Sequence, residues 1–334
     1  MSTSRMSPSP AVRSAAKHLR LILFVASLCA LAHAATPERA IMVREAVLYL
    51  SPDPTSQKIA TVGRGREVAI IEASGQFAHV LANVETGATD IHQEEYAPER
   101  NVTGWLLNKG IIRTSTPNGD QILYGEAVDS EAQAERRGGR KGAANDALRL
   151  YARLAEYFPK SPYAGEAAWR AADIRWQLEK SEVRLRPSSR LNDPSLRAQM
   201  SEDELHQVEH KFPHTKWADL AAFDLLENKL CGDWLGTHKC PDKEAEHYEK
   251  YAIDHPESPK LAEALYEAAW RRAALVEIYK TEAELAKSAE SRTRAQALAQ
   301  RILALPKDED WSARAQTLLY KIEQNIPTWG NATE

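Results

Sequence analysis

The sequence predicts a mainly α-helical protein with a small all-β domain in front of the helices. Three observations support this prediction: a helix–proline–helix pattern that returns after residue 143, short strand-like runs before residue 114, and a separate apolar leader. The expected parts are a leader at 1–34, a β-domain at 38–114, a linker with a lead-in helix at 115–142, helical repeats at 143–326 and a tail at 327–334.

The leader has the features of a secretory signal peptide. Four basic residues and no acidic one precede the apolar run LILFVASLCALAHA, which ends in the small-residue site Ala32-His33-Ala34. The run is shorter and differently flanked than a membrane span of roughly 20 apolar residues. Lipid attachment at Cys29 is the alternative, but Leu28 directly before the cysteine fits it poorly. We therefore expect an exported, soluble periplasmic protein, cleaved near Ala34, without a transmembrane segment in the mature chain.

The charge of the chain argues against a nucleic-acid partner. The full sequence carries a net charge of −4, and removal of the four basic leader residues brings the mature chain to about −8. Nucleic-acid binding depends on neutralising phosphates with lysine and arginine. We therefore expect envelope proteins or peptides as partners, with the peptidoglycan cell wall as the alternative.

Residues 41–113 contain short runs rich in Val, Ile, Leu and aromatic residues, separated by Pro, Gly, Asp and Ser. This spacing predicts a small barrel or sandwich. The order of the runs resembles the bacterial SH3 family: a strand ending in SPDP, a strand at 59–62, a Gly65 turn into 68–71, the SGQFAHV hairpin and GWL. The resemblance implies an SH3-like β-barrel, although a polar, acidic insertion occupies 83–101.

Members of that family mostly bind cell-wall glycan-peptide or protein segments and act as targeting modules. The aromatics implied as candidate ligand contacts are Tyr49, Phe77 and Trp105, where Phe77 stands in place of the family's usual tryptophan. The competing interpretation is that Phe77 and Trp105 fill the small core, since large aromatics dominate burial in little barrels. Tyr49, beside a turn, is expected to be the most exposed of the three.

The helical half is organised as repeats that align on Pro159, Pro213 and Pro256, with a looser copy at Pro306. Apolar or aromatic residues recur eight and five residues before each proline and ten and twelve after it: Tyr151, Leu205, Tyr248; Leu154, Val208, Tyr251; Trp169, Phe223, Tyr266; Ala171, Leu225, Ala268. Helix pairs of this kind cannot bury their apolar faces alone, so neighbouring pairs must stack. The first pair is predicted at 143–158 and 162–179, with Pro162 at the first helical position.

The segment FPKSPYAGEAAW resembles the tetratricopeptide-like repeats of periplasmic proteins, especially outer-membrane assembly lipoproteins and Tol-Pal-associated coordinators of cell-wall synthesis. The resemblance covers roughly 143–325 and implies a tetratricopeptide-like solenoid that holds partner proteins. The prolines lie 43 to 54 residues apart, whereas a standard unit has about 34. We therefore expect insertions at 182–200 and in the cysteine loop.

Cys231 and Cys240 are the two cysteines that follow the leader, and in an exported chain such a close pair predicts a disulfide. A zinc site that includes His238 is disfavoured because neither cysteine belongs to a CxxC pair. Trp234 lies inside the resulting loop, CGDWLGTHKC, and is predicted to be an exposed ligand contact.

The string HQVEH at 206–210 matches the HxxEH arrangement of inverted zinc peptidases. The repeat alignment places Leu205 and Val208 inward, so His206 and His210 are expected on the outward face. No phosphate loop, nucleophile elbow or cysteine–histidine pair is recognisable. The sequence thus predicts a non-enzymatic scaffold without metal or cofactor; the alternative is a peptidoglycan-binding protein acting through the SH3-like domain.

Overall fold

The computed structural model describes residues 37–85, 99–191, 193–232, 234–306 and 309–328. An antiparallel sheet of seven strands comes first in these ranges, and nine α-helices follow it. This confirms the predicted order of a small β part before a larger helical part. The strands are β1 (Glu38–Met42), β2 (Ala46–Tyr49), β3 (Lys58–Val62), β4 (Glu67–Ser74), β5 (Phe77–Glu85), β6 (Glu99–Leu107) and β7 (Ile111–Arg113).

The sheet has the strand order β3-β2-β6-β5-β4-β1-β7, with antiparallel neighbours throughout. Successive side chains of a strand point to opposite faces, and in β5 this alternation places Ala78, Val80 and Ala82 in the core. Leu48 of β2 and Leu106 of β6 join the same core. The opposite face of β2, β6 and β5 therefore carries the odd-numbered residues.

Each helix packs against a neighbour in the sequence, so the helices form consecutive pairs along the chain. Their bounds are α1 (Gly119–Glu135), α2 (Ala143–Tyr157), α3 (Ala164–Arg184), α4 (Asp203–Lys211), α5 (Lys216–Asp224), α6 (Lys239–Asp254), α7 (Leu261–Thr281), α8 (Leu285–Leu303) and α9 (Glu309–Glu323). The stretch expected as a lead-in helix is α1, which buries Leu123 and Ala127 in one core with α2 and α3.

The repeat alignment is confirmed by the backbone at the residue before each proline. Phe158, Phe212 and His255 all end their helices with nearly the same φ, −126°, −126° and −125°. Each donates its backbone N–H to the carbonyl four residues earlier, as a helix end requires to satisfy its last groups. At the looser fourth copy the helix ends one residue earlier relative to its proline, since the capping residue is Ala304, two residues before Pro306, with φ −86°.

Two predicted boundaries were wrong. The second helix of the first pair begins at Ala164 rather than Pro162, because Pro162 belongs to a turn in which the Ser161 hydroxyl accepts the N–H of Tyr163. The same helix continues to Arg184, beyond the expected end near 179. The connection at 182–200 then contains two short 3₁₀ helices, Pro187–Arg190 and Pro194–Leu196.

The sheet and the helices share a core. Strand β1 places Ala40 and Met42 in the sheet core but Ile41 in the core of α1, α2 and α3, which Val43, directly after the strand, also joins. Gly119 lies at the same junction, where an added Cβ would be 2.8 Å from the Phe158 ring. The two halves are therefore continuous in packing, although their secondary structure differs.

Several expectations lie outside the described residues: the leader at 1–34 with Cys29, most of the acidic insertion at 83–101, and residues 329–334 of the tail. Across the part of the chain that the structure describes, no helix combines the length and apolar character needed to cross a membrane.

Candidate binding surfaces

An aromatic row crosses the sheet on the face opposite its core. Tyr49 of β2 pairs with Trp105 of β6, and Trp105 pairs with His79 of β5. The His79 and Trp105 rings stack with centroids 4.7 Å apart and planes 12° apart. Because both residues are only half-buried, the row presents a flat aromatic surface at the outside of the sheet.

Phe77 lies on the same face of β5 as His79 but is buried. It is 3% exposed, and its ring meets Tyr49 edge-on with centroids 6.4 Å apart. Of the three aromatics implied as contacts, Tyr49 and Trp105 thus remain accessible, while Phe77 is buried as the competing interpretation expected. Tyr49 is half-buried rather than fully exposed. His79 was missed, although its spacing of two from Phe77 places both on one face of a strand.

The predicted disulfide between Cys231 and Cys240 is present, with Cα atoms 5.9 Å apart. The prediction for Trp234 was wrong: this side chain is 5% exposed. The short loop folds the indole back onto α7, where its ring centroid lies 5.2 Å from that of Trp270. Leu235, the next residue, takes the exposed position, with φ +51° and 66% exposure.

A buried ion pair holds the cysteine loop against the helices. The side chains of Arg271 and Glu244 are 1% and 2% exposed, and Arg271 Nε donates to Glu244 Oε2 over 2.7 Å. The other oxygen of Glu244 accepts the backbone N–H of Cys231 at 2.7 Å. The Arg271 guanidinium also lies 4.7 Å from the Tyr248 ring centroid. Both charges therefore have the partners that a buried charge requires.

A groove of about 370 Å³ runs across α3, α5, α6 and α7. Its lining carries charges of both signs, among them Lys180, Lys260, Asp224 and Glu263. These side chains come from positions up to 83 residues apart in the sequence, and the stacking of three successive helix pairs brings them together. The groove is suited to a polar, extended ligand rather than an apolar one.

Asp224 has the strongest perturbation among the groove carboxyls. Burial, with a further contribution from the nearby charge of Asp173, raises the pKa of Asp224 to about 7. Burial also raises the pKa of Asp173. The Trp169 Nε1–H donates to Asp224 at 3.1 Å and favours its ionised form. The Asp224 carboxyl in the groove therefore changes its protonation near neutral pH.

The HxxEH histidines lie on the outward face of α4, as the repeat alignment predicted. Leu205 and Val208 are buried, whereas His206 and His210 are exposed. His206 hydrogen-bonds to Glu209 at 2.8 Å, and this bond raises the pKa of His206. Within the described ranges, no three His, Cys, Asp or Glu side chains are grouped closely enough to hold a metal ion.

Neither a protein-family model nor a curated protein matches this chain. Among solved structures, the chain is similar to the de novo designed helical repeat protein DHR64, with 18% identity, a TM-score of 0.22, and coverage of 62% of this chain and 94% of that one. It is also similar to the DHF119 filament, with 16% identity, a TM-score of 0.22, and coverage of 61% and 92%. Structural similarity at these TM-scores does not indicate a function.

Proposed function

We propose that this protein is a non-enzymatic periplasmic scaffold, exported by its leader, that binds partner proteins through the groove of a tetratricopeptide-like helical stack. Its role would be in assembly or maintenance of the cell envelope. The observation that carries the proposal is the groove across α3, α5, α6 and α7, whose lining carries charges of both signs. Stacked helix pairs offer such extended surfaces to peptides and proteins.

The charge pattern of the groove supports a polar peptide segment as the bound element. Lys260 lies next to Glu263, with Nζ 2.6 Å from the carboxylate, and its ammonium lies 5.3 Å from the Phe223 ring centroid. Charged side chains at such a rim govern encounter rate and specificity more than affinity. Partner binding should therefore depend on ionic strength and on the sign of charge at position 260.

The test places a photo-crosslinking amino acid in the full chain at Gln177, an exposed groove residue, and in parallel at His210 on the outward face. We expect discrete crosslinked proteins in the native envelope from position 177, fewer from 210, and loss of the 177 products in a Lys260→Glu background. Lys250→Glu, at an exposed pair outside the groove, should leave them unchanged. Equal crosslinking from both positions would refute the proposal.

The aromatic row favours a second candidate function, peptidoglycan binding by an SH3-like sheet. Tyr49, Trp105 and His79 present rings with an apolar face and a polar edge, the kind of surface that contacts sugar rings and peptide bonds. This candidate is tested by co-sedimentation of the full chain with purified peptidoglycan. Trp105→Ala should abolish co-sedimentation, and Tyr320→Ala, at an exposed tyrosine of α9, should not. A full chain that stays in the supernatant excludes this function.

A further inference from the structure

The two insertions that lengthen the repeats pack against each other. Gly232 in the cysteine loop lies so close to the connection at 182–200 that an added Cβ would be 2.5 Å from the carbonyl oxygen of Leu191. Between these segments is a pocket of about 540 Å³. This volume lies within the roughly 300–1,000 Å³ of small-molecule sites.

The pocket is basic although the chain as a whole is acidic. Its cations are Lys180, Arg184, Arg190 and Arg197, and Glu227 is the acidic residue of its lining. The Glu227 carboxylate is already shared, at 2.7 Å from Lys180 and 3.7 Å from Arg184. Over the described ranges, Arg190 and Arg197 have no carboxylate within ion-pair distance. The four cations of the lining therefore outnumber its acidic residue.

Arg197 provides an independent indication that the pocket is a ligand site. Its Nε is shielded from solvent and finds no hydrogen-bond acceptor in the described part of the chain. Burial lowers the pKa of Arg197, and the charges of Glu244, Asp193 and Glu227 offset this only in part. An N–H group that is shielded from water and has no hydrogen-bond acceptor destabilises the folded protein, and a bound ligand that accepts its hydrogen bond would remove this cost. The planar guanidinium fork matches the oxygens of a carboxylate or a phosphate.

One side of the pocket is apolar. Val183, Ala198 and Met200 line it, and Met200 is fixed through two hydrogen bonds between its backbone and the Asn228 side chain. This apolar wall adjoins the arginines but offers no partner to a free inorganic ion. A ligand that fills the pocket must therefore combine a charged head with a short apolar part.

We propose that this pocket binds a small organic anion: a carboxylate or phosphate head held by Arg190 and Arg197, with a short apolar stem against the apolar wall. The pocket adjoins the groove and shares Lys180, Arg184, Glu227, Cys231 and Gly232 with it, whereas Arg190 and Arg197 line the pocket alone. The two proposals are tested at different residues, Arg190 and Arg197 here and Lys260 there, so either can fail without the other.

The experiment uses the full chain labelled with ¹⁵N and follows the side-chain Nε–Hε resonance of Arg197, assigned by its loss in Arg197→Lys. Hexanoate and hexyl phosphate are the probes, and hexanol is the uncharged control. We expect a saturable shift with at least one charged probe and none with hexanol. Arg190→Gln should weaken the binding about tenfold, the effect of losing one charged hydrogen bond. Arg186→Gln, at an exposed arginine outside the lining, should bind like the unmodified chain.

Three results would overturn the proposal. The first is no saturable shift with either charged probe. The second is equal weakening by Arg186→Gln and Arg190→Gln, which would mean diffuse surface electrostatics. The third is a response to vesicles of anionic phospholipid without any response to the soluble probes, which would assign the arginines to a membrane surface. Because Arg190 is exposed, its substitution leaves the fold intact and keeps the test decisive.

Discussion

The pair of Arg271 and Glu244 allows a quantitative test of how the cysteine loop is held. Arg271→Met removes the cation and leaves the Glu244 carboxylate almost fully buried, with the Cys231 N–H as its remaining hydrogen-bond partner among the described residues. Breaking one side of a buried ion pair costs about 3–5 kcal/mol. We expect the free energy of unfolding to fall by that amount.

The double variant Arg271→Met with Glu244→Gln separates the charge effect from the loss of packing. Glutamine removes the buried charge and keeps an oxygen that can accept the Cys231 N–H. We therefore expect the double variant to recover at least about 2 kcal/mol of the loss in Arg271→Met, which is a strong coupling between neighbouring sites.

Urea unfolding followed by circular dichroism measures both changes, provided that the m-value stays constant. The matched control is Lys250→Met, which breaks the exposed pair of Lys250 and Asp254 and should cost less than about 0.5 kcal/mol. A loss in Arg271→Met as small as in the control, or a double variant whose loss equals the sum of the two single losses, would refute the reasoning.

Three further predictions concern stability. Replacing Cys231 and Cys240 by serine should lower the free energy of unfolding by about 2.5–3 kcal/mol, from the loop entropy of a bridge nine residues apart. The raised pKa of Asp224 means that the folded state holds the proton of this carboxyl more tightly than the unfolded chain does. The free energy of unfolding should therefore decrease as the pH rises from about 4 to about 7. Asp224→Asn should flatten this decrease. Ser258→Ala should cost about 1–2 kcal/mol, because the buried hydroxyl bonds both Tyr251 and the Lys260 N–H.

The same unfolding assay checks all three. The disulfide prediction is contradicted if chemical reduction leaves the urea midpoint unchanged. Parallel curves of stability against pH for Asp224→Asn and the unmodified chain would mean that this carboxyl does not titrate there. For the serine, the matched control is Ser161→Ala in the equivalent, less buried turn, which should cost clearly less than Ser258→Ala.

The helical repeats were predictable because their signal is local. Apolar positions at three- and four-residue steps place Tyr151 and Leu154 on one helix face, and the structure buries both. Pro159, Pro213 and Pro256 each lie two residues after the end of a helix. The boundary error at Pro162 arose from a serine turn, whose competition with the first helical turn depends on the next few residues.

The binding surfaces were less predictable because they depend on contacts distant in sequence. Trp234 is buried by Trp270, which lies 36 residues later, and nothing within the cysteine loop indicates that packing. Alternation in β5 could have placed His79 with Phe77, but its stacking on Trp105 requires the pairing of β5 with β6. The pocket between the insertions needs Gly232 and Leu191 in contact.

The shared core of the sheet and the first helices has a consequence for avidity. With Ile41 and Val43 held among α1, α2 and α3, no flexible linker separates the aromatic row from the helical groove. A partner with two binding segments would therefore meet two sites at a set spacing. The gain from the second contact would depend on whether the partner's own linker matches that distance. Lengthening that linker should first strengthen bivalent binding and then weaken it, whereas a hinged protein would tolerate many lengths.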